Sequence, residues 1–62
     1  MPKPVGPVEA LDLAMTKEIE AETLYQRLAA EHPAAKDILL FLVNEEQKHQ
    51  KLIKETIIKL TQ

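Results

Sequence analysis

Cysteine is absent from this chain, so no disulfide can staple the fold, and Tyr25 and Phe41 are its only aromatic residues. For a chain of 62 residues that first absence matters. A lone hydrophobic core of this size supplies only about 3 to 5 kcal/mol of net stability, which leaves a metal, self-association or both to supply the rest. A chain free of thiols also suits a reducing interior, and the cytoplasm is the expected location. No apolar run approaches the roughly 20 residues of a bilayer span, and MPKPVGP at the start, with three prolines, does not read as a targeting segment. A soluble protein without a membrane partner is therefore expected. Basic blocks are missing too: eight Lys and Arg stand against ten Asp and Glu, for a net charge of -2. Nucleic acid is not expected as a partner.

What is present is helix-forming sequence. The single glycine and three of the four prolines lie before residue 8, and the remainder is rich in Ala, Leu, Glu, Lys and Ile. Residues 1–7 read as an extended arm. The fourth proline, Pro33, is compatible with the first turn of a new helix but not with a helix interior. A turn over 31–33 therefore separates a first helix of about 8–30 from a second of about 33–60, with Asp37 early in the second, where a negative charge suits the helix dipole. So short a break favours an antiparallel hairpin.

Projecting the first helix at about 100° per residue puts Leu11, Ala14, Met15, Glu18, Ala21, Tyr25 and Leu28 on one stripe. In the second helix the seam runs through Ala35, Leu39, Leu42, Glu46, His49 and Ile53, with Thr56 or Ile57 continuing it towards Leu60. Glu18, Glu46 and His49 thus occupy positions that otherwise carry apolar side chains. A carboxylate there costs several kcal/mol of desolvation unless its charge is compensated, and a bound cation compensates all three groups at once. Their heights agree: Glu18 lies fourteen residues before His32 and Glu46 fourteen after it, which is roughly 21 Å from the turn along either helix. His49 follows Glu46 by three residues, so both can address one point from one face.

One hairpin offers two carboxylates and one imidazole, too few ligands for two iron ions. A twofold-related copy doubles the set to the inward-facing pattern of carboxylate-bridged di-iron bundles, one Glu from each of two helices and Glu-x-x-His from each of the others. The expected fold is thus all-α, a two-helix hairpin that dimerises into a four-helix bundle. Phe41, Ile38, Leu52 and Ile58 widen the apolar surface beyond one stripe and point to further association. Glu22, one turn after Glu18, reads as a solvated flank residue, as does Glu45, and His32 reads as a surface residue of the turn.

Over about residues 10–55 the chain resembles the rubrerythrin branch of the ferritin-like superfamily. Glu18-x-x-Ala21-x-x-x-Tyr25 is similar to its first ligand helix, and Glu45-Glu46-x-x-His49 to its second. The resemblance implies Glu18, Glu46 and His49 as iron ligands, with Glu18 terminal or switching and Glu46 bridging. It also implies Tyr25 beside the cluster and manganese or zinc as substitute metals. Rubrerythrins and ferritins carry two hairpins in one chain, so here assembly replaces covalent fusion. The half-bundle is also similar to the encapsulated ferritins, which admits an encapsulin shell as a partner, although no loading tail is seen after the second helix. Rubredoxin-like cysteine pairs are missing.

The function these readings favour is an oxidoreductase that oxidises Fe(II) with a small oxidant, oxygen or peroxide, for iron detoxification or storage or for peroxide reduction. Oxygen-rich ligands with a minority of imidazoles suit iron or manganese. The alternative is a homo-oligomeric helical module in which metal only stabilises the assembly. A weaker third reading is a subunit that stores or carries iron without oxidising it quickly.

Overall fold

A computed structural model of the chain describes residues 5–62, and all of these are helical except Val5, Gly6, His32 and Gln62. Helix α1 runs Pro7–Glu31, a short 3₁₀ turn spans Pro33–Ala35, and helix α2 runs Lys36–Thr61. Of the extended arm expected over 1–7, residues 1–4 lie outside the described residues. Pro7, assigned above to that arm, is instead the first residue of α1. Proline suits that position because the first helical N–H groups have no carbonyl to bond. The ladder begins when Ala10 N–H donates to the Gly6 carbonyl at 2.9 Å, and Glu9 in the first turn faces the positive end of the dipole.

The turn is tighter than the expected 31–33. Helix α1 continues through Glu31, and His32 N–H donates to the Leu28 carbonyl at 2.8 Å. His32 then leaves helical geometry at φ -130° and ψ 78°, as the ring of a following proline requires. The first turn of the second helix is 3₁₀ rather than α, closed by Ala35 N–H donating to the His32 carbonyl at 2.9 Å. With one residue between helical segments, α2 folds straight back along α1 as the antiparallel partner.

The hairpin has almost no interior. Ala29 and Val43, at 5% and 6% exposure, are the only buried side chains among the described residues. The molecule measures 45 × 29 × 11 Å, and its shortest dimension equals about one helix diameter of 10 to 12 Å. Each helix therefore has a neighbour on one side only. The radius of gyration is 14.6 Å, against about 11 Å for a compact chain of this length. The accessible surface of 4986 Å² exceeds by roughly a quarter the area expected of a compact 7.0 kDa monomer. Large apolar side chains are exposed on this surface, and by helical projection they fall on two faces. Leu13 and Leu24 of α1 share a face with Ile38, Phe41 and Leu52 of α2, the face towards which His49 points; Ile19, Leu40 and Ile58 lie on the opposite one.

Candidate metal centre

Glu18 from α1 and Glu46 and His49 from α2 offer ligand atoms that all lie within 4.8 Å of one another. The seam residues that carry them are half-buried, as are Leu11, Ala14, Met15, Ala21, Tyr25 and Leu28 beside Glu18 on α1. His49 is the exception, with half of its side chain exposed at the open face, while the Glu18 side chain retains 26% exposure. His49 Nδ1 stands 3.1 Å from Glu18 Oε2.

The electrostatics of the group are those of carboxylates forced together. Glu46 is pushed above the ordinary carboxylate range, first by its hydrogen bond with Glu18 and then by burial and the Glu18 charge. Glu18 is lowered, mainly because that same hydrogen bond favours its ionised form, helped by His49 and opposed by burial. When the pair holds a single proton, Glu46 is the residue that carries it and Glu18 the one that accepts from it. Because Glu18 is ionised it can only accept, so Nδ1 of His49 carries a proton and, in the neutral ring, the lone pair sits on Nε2.

No lysine or arginine among the described residues pairs with Glu18 or Glu46. The ion pairs made by cations lie elsewhere, Lys17 with Glu20 at 3.3 Å and Lys48 with Glu45 at 3.2 Å. Two carboxylates from facing helices therefore meet beside an imidazole with no lysine or arginine partner among the described residues. A donor set of two carboxylates and one imidazole fits iron, manganese or zinc. Further ligands or water would have to complete the shell.

Tyr25 shares the α1 stripe with Glu18. It lies seven residues along α1 from Glu18, about 10 Å closer to the turn, half-buried and without a hydrogen bond to its hydroxyl among the described residues. Glu22, read above as a solvated flank residue, differs from that expectation. It is half-buried, and its carboxylate accepts three amide donors, Gln50 at 2.7 Å on Oε1, and Gln47 at 3.2 Å and Gln26 at 3.3 Å on Oε2. The sequence did carry a signal for this network. Gln47-x-x-Gln50 repeats the spacing of Glu46-x-x-His49 one residue on, and Glu22 follows Glu18 by one turn.

Compared with known proteins, the chain matches no family model, no curated protein and no solved structure.

Proposed function

We propose that this chain is half of a ferritin-like di-iron protein. Two hairpins pair through the face that bears His49, the two sets of Glu18, Glu46 and His49 hold two irons, and Fe(II) is oxidised by oxygen or peroxide. The observation that carries the reading is the meeting of two carboxylates and an imidazole, from facing helices, within 4.8 Å and without a compensating cation. Two copies bring four carboxylates, whose charge balances two divalent ions, and two imidazoles. Iron held there supplies the electrons for reducing the oxidant.

The chain's own residues do the rest. Glu18 and Glu46 would hold the metal through their carboxylates, any proton between them being released on binding, and His49 would contribute a neutral donor. The half-buried Leu42 and Ile53 flank Glu46 and His49 along the seam of α2. Pairing supplies the core the single hairpin lacks, because it covers Leu13, Leu24, Ile38, Phe41 and Leu52.

Oxygen consumption tests the proposal. Anaerobic protein carrying one Fe(II) per chain is mixed with oxygenated or peroxide-containing buffer, and uptake is followed at an electrode. Oxidation faster than that of the same iron in buffer is expected, and a sharp fall in Glu18→Ala. If two irons bind per dimer yet oxidise no faster than free iron, the better account is a homo-oligomeric module in which metal only holds the helices together.

A further inference from the structure

The Glu22 cluster is the one polar network between the helices that metal binding does not use. It sits one turn from Glu18 towards the hairpin turn and, by helical projection, on the side of the seam away from the His49 face. Two of its three donors come from α2, and those two, Gln47 and Gln50, interleave in sequence with Glu46 and His49. One turn of α2 therefore sends one pair of side chains to Glu18 and the other pair to Glu22.

We infer that Glu22 is a positioning residue: with Gln47 and Gln50 it clamps α1 against α2 behind the ligands, setting the rotation and register at which Glu18 meets Glu46 and His49. The consequence for metal affinity rests on the function proposed above; the clamp itself does not. Apolar packing cannot do this alone. Among the described residues only Ala29 and Val43 are buried; both are small, and the larger seam side chains are no more than half-buried, so apolar contacts leave rotation about the helix axes weakly specified. A carboxylate that accepts on both oxygens admits one orientation. Glu22 is also poorly placed to be a ligand, since both oxygens already take amide donors and it lies outside the three-residue group. Residues that orient ligands in this way act on metal affinity without touching the metal.

The division of donors suggests a decisive variant. Oε2 takes Gln26 and Gln47 while Oε1 takes Gln50 alone. Exchanging the two groups, Glu22→Gln together with Gln50→Glu, keeps an acceptor for the first two donors and reverses the third bond. Charge and composition are unchanged.

Cobalt(II) titration of the full chain, followed by its visible absorption, is the test. Glu22→Ala is expected to lower Co(II) affinity roughly 10- to 100-fold and to shift the absorption bands, with helicity retained. The exchange variant is expected to restore both. Wild-type affinity and spectrum in Glu22→Ala would overturn the inference, as would an exchange variant no better than Glu22→Ala. If Glu22→Ala loses its helicity, Gln50→Ala takes its place in the comparison. Nuclear Overhauser contacts in the metal-free protein give a second readout. Contacts between the Glu18 and His49 side chains should fade in Glu22→Ala and return in the exchange variant, and their persistence in Glu22→Ala overturns the clamp. Should wild-type protein fail to bind cobalt at all, the metal reading falls, and the clamp is judged on these contacts alone.

Discussion

His49 Nδ1 lies 3.1 Å from Glu18 Oε2 although 31 residues separate them in the chain. The contact is possible because Glu18 and Glu46 stand fourteen residues on either side of His32 and His49 follows Glu46 by about one turn, and because a one-residue connection at His32 lets the helices run back without slippage. It sets a carboxylate whose pKa is lowered against an imidazole, while that of the neighbouring Glu46 is raised.

Removal of either α2 ligand is expected to empty the site. Glu46→Ala and His49→Ala should each lose most of the metal retained after dialysis, measured by elemental analysis, while His32→Ala at the turn retains it. Equal losses from all three changes would count against the assignment.

Acidity should act on the metal-free protein in two directions. Glu46 has a folded-state pKa raised above 4.5, so its contribution to stability is present at low pH and lost as pH rises through the raised value. Glu18 is lowered, so its contribution is present above 4.5 and lost as pH falls through the lowered value. Thermal stability should therefore peak in the acidic window between the two and decline towards neutral pH. Bound Zn(II) or Mn(II) replaces the shared proton and should abolish the decline on the neutral side. A metal-free melting temperature that climbs steadily from pH 4 to pH 8 would contradict the shared proton.

Glu18→Leu separates stability from function. It removes a half-buried carboxylate from an apolar stripe, so the metal-free hairpin should melt at a higher temperature than wild type even as metal binding is lost. A lower melting temperature in metal-free buffer would show that Glu18 stabilises the fold through His49 by more than its desolvation costs.

Close approach of the helices depends on Ala29, whose side chain is 5% exposed. Ala29→Leu should force α1 and α2 apart and cost about 1 to 3 kcal/mol in urea denaturation. Leu24→Ala at an exposed position of α1 provides the comparison: in the proposed pair it should weaken association rather than the hairpin.

Self-association is the remaining expectation. The surface in excess of a compact monomer is close to the roughly 800 Å² that one partner contributes to a standard interface, and large apolar side chains occupy much of it. Sedimentation equilibrium at micromolar concentration should give at least a dimer. A folded, metal-loaded monomer of 7.0 kDa would end the shared-site proposal.

The stripe on α1 was legible from sequence because a helix repeats its face every three or four residues. Leu11, Ala14, Met15, Glu18, Ala21, Tyr25 and Leu28 are all half-buried. The convergence of Glu18, Glu46 and His49 was legible as well, since equal distances from one turn fix equal heights in an antiparallel pair. Tyr25 lies on the same stripe as Glu18, two turns nearer the hairpin turn.

Periodicity and chain length thus determined the helices, the hairpin and the three residues that meet. Tertiary structure alone decided how each helix is rotated about its own axis. That rotation buries Ala29 and Val43, which were not among the seam residues named from periodicity, and leaves His49 half exposed on the open face. It also turns Glu22 inward to the glutamines of α2. The physical reason is that a sequence pattern specifies an apolar arc about 100° wide or more, whereas hydrogen bonds between facing helices depend on differences of a few tens of degrees. Those differences are settled only when both helices, and the side chains between them, are packed together.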